Sequence, residues 1–136
     1  MSIRAIPLMI FAFLFYNIIV MFNGDIPIDQ FLRQELSSIP MLNGNRWVFG
    51  WGDLIILSLL FLLFFELLKA TYTSSTSLID HGLSMLVFVA CLIEFLLVQE
   101  AQTSVFFFIV VATLIDVIAG YTIGIRVARR DLAIGG

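Results

Sequence analysis

Residues 104–126 read SVFFFIVVATLIDVIAGYTIGIR, and the fold turns on how that run is taken. A helix crossing the hydrocarbon core of a bilayer needs about 20 predominantly apolar residues, and this run supplies them without a proline. It carries a single carboxylate, Asp116, near its middle. Helical periodicity puts Thr113, Asp116, Gly120 and Gly124 on one face. Glycines four apart let a second backbone approach closely, and polar groups bond across such contacts in lipid. The run is therefore read as the contact helix of a polytopic membrane protein. Asp116 is either an uncharged group hydrogen-bonded to a neighbouring helix or an ion- or proton-binding group.

Three more apolar runs lie upstream, at residues 5–23, 51–70 and 78–98. The first follows Arg4 and has the layout of a signal peptide, but no small-x-small cleavage site comes after it, so it is read as an uncleaved first crossing. Pro7 falls in its first turn, where a missing N–H costs little. Residues 71–77 (TYTSSTS) and 99–103 (QEAQT) are short polar connections. The chain of 136 residues is 61% hydrophobic and 12% charged, with a mean hydropathy of +1.09. Soluble domains run nearer about 45–50% apolar and 25% charged. The net charge of −3 gives no reason to expect nucleic acid. Cys91 is the only cysteine, which excludes an internal disulfide and a cysteine-rich metal site.

The one extended polar stretch is the loop 24–50. Within it Ile28, Phe31, Leu32 and Leu36 follow a helical pattern, ended by Pro40 and followed by the turn Asn43-Gly44-Asn45. This predicts a short amphipathic helix on the membrane surface, with Phe31 and Leu32 turned to lipid. Trp47 and Trp51, just before the second long run, suit headgroup-level anchors. The expected fold is thus all-α: a single domain, an antiparallel four-transmembrane-helix bundle with a short surface helix between its first two members. Arg4, Lys69, Arg126, Arg129 and Arg130 fall on one side, Arg33 and Arg46 on the other. The side richer in basic residues is cytoplasmic, so both termini are expected there and the loop 24–50 in the periplasm.

Ionisable groups inside membrane helices are costly and mark functional or contact sites. If the helices about 51–70 and 78–98 are antiparallel, positions whose numbers sum to about 147 lie level, given a rise of ~1.5 Å per residue. Glu66, Lys69, Asp80 and His81 then form a charge cluster at the cytoplasmic edge. That cluster reads as a clasp on the hairpin or as a proton-accepting pair at the mouth of a pathway. For the last two helices the level sum is about 202, which leaves Glu94 and Asp116 offset by ~12 Å. They are not a catalytic pair. Asn17 is a further hydrogen-bonding group in the first crossing, and Ser58 and Ser84 are candidate partners at other depths. Phe106, Phe107 and Phe108 read as lipid-facing or core residues. No metal-protease, dinucleotide, Walker or nucleophile-elbow motif is present. No cofactor or metal is expected, and His81, the only histidine, cannot form a haem-ligating pair within one chain.

The stretches NRWVFGWGDLIIL, ELLKATYTSSTSLIDHGLSMLVFVACLIEFLLV and TLIDVIAG…RVARRD resemble a group of small, uncharacterised inner-membrane proteins of Gram-negative bacteria. The resemblance covers most of the chain and implies an inner-membrane location, but no activity. The expected role is a non-enzymatic accessory or scaffold subunit, whose partners are membrane lipids and other subunits or further copies of itself. The alternative is an oligomeric ion or proton channel or carrier using Asp116, Glu94 and Glu66.

Overall fold

The computed structural model describes residues 6–72 and 77–135. In chain order the elements are α1 (Met9–Val20), α2 (Ile28–Leu32), β1 (Glu35–Pro40), β2 (Arg46–Gly50), α3 (Trp51–Lys69), α4 (Ser77–Leu97), a 3-10 turn (Gln99–Ala101) and α5 (Ser104–Gly135). The protein is predominantly helical, and α3, α4 and α5 are long and apolar enough to cross a membrane by length and composition. Arg4 and the middle of the 71–77 link lie outside the described residues.

α5 is the axis of the bundle. In its most apolar stretch 44% of residues are buried, against 22% in α3 and 17% in α4. α3 and α4 each pack along α5, and although they are neighbours in sequence they hardly touch each other among the described residues. α1 lies in the trough against α3, α4 and α5. Phe106 is fully buried at the centre. The Tyr16 ring meets it edge-on at 4.9 Å, Phe13 is tilted at 6.4 Å and Phe95 is stacked at 6.5 Å. Met9, Ile55, Leu59, Cys91 and Ile109 complete this core. Of the three consecutive phenylalanines, Phe106 is therefore core, while Phe107 and Phe108 remain about half exposed. The free Cys91 thiol is enclosed by apolar side chains.

Several expectations need correcting. α1 has 12 residues, about 18 Å of helix, where a crossing over residues 5–23 was expected. It is cut short by an Asn23-Gly24 turn in which Gly24 has φ +58°. The surface helix is also shorter than expected: it spans only Ile28–Leu32, and Phe31 and Leu32 are buried rather than turned outward. Phe31 stacks on Trp51 at 6.2 Å, which draws Trp51 into the protein.

Glu35–Pro40 is not helical. It pairs antiparallel with Arg46–Gly50, with Ile39 opposite Trp47 and Pro40 opposite Arg46. The fold is therefore not purely α. A partner rich in aromatic and β-branched residues (RWVFG) stands across a turn in which Gly44 has φ +90°, and strand pairing satisfies backbone groups that one more helical turn around Ser37-Ser38 would satisfy less well. Pro40, at the strand's end, does not interrupt the pairing. Trp47 is half exposed and meets Phe49 at 5.6 Å on the same hairpin face.

The last helix runs on to Gly135 instead of ending at 126. Residues 125–134 (IRVARRDLAI) contain no glycine or proline to stop it.

Gly50, where β2 turns into α3, is required by space. A Cβ there would lie 2.8 Å from the Gln34 carbonyl oxygen. Its N–H donates to Asp53 Oδ2 at 2.9 Å, closing the first turn of α3.

Candidate functional site

Glu66, Lys69, Asp80, Glu94 and Asp116, ionisable residues of the long helices, fall in two layers. The first is at the Lys69 end. Glu66 is the most buried charged residue of α3, at 3% exposure. Its Oε2 accepts the Leu8 N–H at 2.8 Å. Leu8 is the residue from which α1 starts, so Glu66 caps that helix from another element, and a carboxylate suits the positive end of the helix dipole. Lys69 Nζ stands 3.5 Å from Glu66 Oε2 and 3.5 Å from Asp80 Oδ1. It also donates to the Ile6 carbonyl at 2.8 Å. Glu66 and Lys69 thus bind the N-terminal segment to α3 and, through Asp80, to α4. Asp80 Oδ1 is buried and has no hydrogen-bond partner.

Asp116 extends this layer onto α5. It is 4% exposed, hydrogen-bonds Ser84 of α4, and lies close enough to Glu66, Asp80 and Lys69 to interact with them electrostatically. Thr113, one turn earlier, is fully buried and donates back to the Val110 carbonyl at 2.6 Å. His81 does not join Glu66, Lys69 and Asp80. Its ring turns across to α5 and stacks on Tyr121 at 4.5 Å with an interplanar angle of 22°. A Cβ on Gly120 would stand 3.1 Å from His81 Cε1, and one on Gly124 would stand 3.1 Å from His81 Nε2. The two glycines form the seat of an imidazole from the same chain, where a close approach by a second backbone was expected. Interhelical contact through this face is internal.

The second layer lies toward the hairpin end. Asn17 Nδ2 donates to Glu94 Oε2 at 3.0 Å and to its own helix at Phe13 O at 2.9 Å. Tyr16 donates its hydroxyl proton to the Glu100 carbonyl at 2.7 Å and stands 2.8 Å from Thr103 Oγ1. Thr103 in turn accepts the Phe106 N–H at 3.2 Å and so caps α5. Ser84 and Glu94, the α4 residues that mark the two layers, are about 15 Å apart along their helix. Between the layers stand Met9, Ala12, Leu59, Cys91 and Ile109, all apolar and buried.

Of the pairs that the depth reasoning places level across the α3–α4 link, Lys69 does meet Asp80, whereas His81 turns to α5 and does not meet Glu66. Four features were not found from sequence: the Leu8 N–H, the Tyr16–Thr103 link, Ser84 as the partner of Asp116, and Glu94 as the partner of Asn17. One signal for the first was available. A helix that starts behind Pro7 in an apolar setting leaves free N–H groups that need an acceptor. No group of three or more histidine, cysteine or acidic side chains able to hold a metal occurs among the described residues. No family model matches the chain, and no curated protein or solved structure is significantly similar to it.

Proposed function

We propose that this protein is a small accessory or scaffold subunit of a bacterial inner membrane, with four crossings and both termini in the cytoplasm. It acts by helix–helix contact, in a homo-oligomer or in a larger complex, and not as an enzyme. One observation carries this reading. The polar groups inside the bundle bind its own helices together, while large apolar side chains cover the outer faces: Leu60, Phe61 and Phe64 on α3, Leu96 on α4, Ile118 on α5. Such a protein offers lipid and partner helices a rigid apolar surface. The ties of Leu8 at the Glu66 end and of Tyr16 at the Thr103 end support taking α1, short as it is, as the fourth crossing. The apolar layer between the two polar layers speaks against a proton path through one chain.

The test is the mass and composition of the native complex after gentle extraction from its own membrane. A stoichiometric partner or a discrete homo-oligomer supports the reading. A lone monomer would sink it.

A second reading, proton or ion coupling in an oligomer, draws on the buried Asp80 Oδ1, which pairs with Lys69 at 3.5 Å but accepts no hydrogen bond, in the layer that also holds Asp116. Under that reading Asp116→Asn keeps assembly but abolishes proton flux in reconstituted vesicles. Unchanged flux removes it.

A further inference from the structure

We infer that the arginine face near the end of α5 binds the phosphate of anionic phospholipids, with the guanidiniums of Arg126 and Arg129 as its ligands and Arg130 adding to the positive field. The inference rests on the membrane-spanning reading above. Residues 125–134 (IRVARRDLAI) hold three arginines against one aspartate, a net charge of +2.

Rotation about the helix axis sets what this face meets. Phe108, Ile115, Thr122, Arg126 and Arg129 recur at helical spacing, so they share one side of α5. All five are exposed. Asp116, Gly120 and Gly124, which meet Ser84 and His81 of α4, lie on another side. The arginines thus continue, past the apolar span, the stripe that turns Phe108 and Ile115 outward. In a bilayer acyl chains cover that stripe, and at its end lie the headgroups of the same lipids.

Depth agrees. A ~30 Å hydrocarbon core takes about 20 residues of helix, so a crossing that begins at Ser104 leaves the core near Gly124. The headgroup layer beyond is about 5–7 Å thick. Arg126 and Arg129 stand about 3 and 8 Å past the edge of the core. Cα–Cβ bonds tilt toward a helix N-terminus, which for α5 is back toward the bilayer. Long side chains at these positions therefore reach the phosphates.

Charge selects the group bound. A guanidinium is always ionised, and its fork of N–H donors matches phosphate oxygens. Side chains three apart on a helix are neighbours, so both guanidiniums can engage one phosphate. Among the described residues no carboxylate pairs with Arg126 or Arg129. The nearby acids are engaged elsewhere: Glu66 and Asp80 with Lys69, and Asp116 with Ser84. A net positive face favours a lipid of net negative charge.

The experiment is native mass spectrometry of the full chain in detergent, titrated with phosphatidylglycerol and, separately, with zwitterionic phosphatidylethanolamine. Phosphatidylglycerol should bind more tightly. Arg126→Gln and Arg129→Gln should each weaken it about fivefold, the effect of one basic residue at an anionic membrane surface. Arg126→Lys should lose less than Arg126→Gln, because the charge stays. Arg33→Gln, exposed on the hairpin side, should bind as the native chain does. Circular dichroism melts establish that the variants are folded. Unchanged phosphatidylglycerol affinity when Arg126→Gln and Arg129→Gln are combined, or an equal loss in Arg33→Gln, overturns the inference. So does displacement of the lipid by an equal concentration of glycerol phosphate, which would make the face a site for soluble anions. A photocrosslinker at Thr122 should capture lipid in native membranes, and capture of a protein instead overturns the inference as well. Carbonate extraction separates its failure from that of the membrane reading. A chain released without detergent defeats the membrane reading, whereas a chain retained without the lipid preference defeats only the arginine site.

Discussion

His81 illustrates how a charged-residue pattern and a small-residue pattern can have a joint explanation. Its imidazole fills the space above Gly120 and Gly124 and stacks on Tyr121, so the glycines are small because the ring is there. Gly120→Leu or Gly124→Leu should unseat the ring and lower stability by about 1–3 kcal/mol, as overfilled cores do. A thermal melt in detergent reads this. Gly82→Ala is the control, since nothing lies within 4 Å of a Cβ there. Unchanged melting of both leucine variants would remove the seat. Glu66 is the second residue whose role is specific. Glu66→Ala leaves the Leu8 N–H without its acceptor and should cost about 1–3 kcal/mol. Glu66→Gln keeps an acceptor and should cost less. Amide exchange at Leu8 distinguishes them: fast in the alanine variant, slower in the glutamine variant. Equal exchange in all three proteins would contradict the cap.

At the scale of the element, α1 is held by side chains at both ends and one in between. With 12 residues it is at the short end of the ~12–15 residues below which even strongly helix-prone peptides are marginal in water, so its position depends on tertiary contacts. Tyr16 is the clearest of these. It joins α1 to Glu100 and Thr103 and places its ring against Phe106. Tyr16→Phe keeps the ring and removes the hydroxyl, and should cost about 1–2 kcal/mol because a buried Thr103 loses a partner. Protease cutting in the exposed 21–26 segment should become faster in proportion. Unaltered cutting and melting would show that the ring alone anchors the helix.

At the scale of the whole molecule, α5 has 32 residues, or about 48 Å of helix. That exceeds a ~30 Å hydrocarbon core, so under the proposed membrane-spanning reading its arginine-bearing end projects beyond the bilayer on the side opposite the hairpin. Single cysteines at Leu42 and Leu132, both exposed, should react with a membrane-impermeant maleimide from opposite sides of sealed vesicles. Buried Cys91 should give little background. Labelling of both from one side would overturn the topology, including the four crossings.

The long apolar helices were legible in the sequence because a bilayer demands length and hydropathy, and both are properties of a contiguous run. The depth pairing across the α3–α4 link was legible in part: a fixed rise per residue and a short connection bring Lys69 level with Asp80, but depth alone does not say which way a ring turns, and His81 faces α5 instead of Glu66. The hairpin was missed because Ile28, Phe31, Leu32 and Leu36 satisfy a helical period locally, while the partner that makes Glu35–Pro40 a strand lies beyond the Gly44 turn. The partners of α1 were out of reach for a stronger form of the same reason. The loop 24–50 sets no register between α1 and the later helices, so Leu8 with Glu66, Asn17 with Glu94 and Tyr16 with Thr103 are decided only by how the bundle closes. The sequence by itself determined which segments are apolar enough for a membrane and which polar groups must find partners inside. The tertiary structure decided who those partners are, because burial makes a partner obligatory but only three-dimensional proximity can choose it.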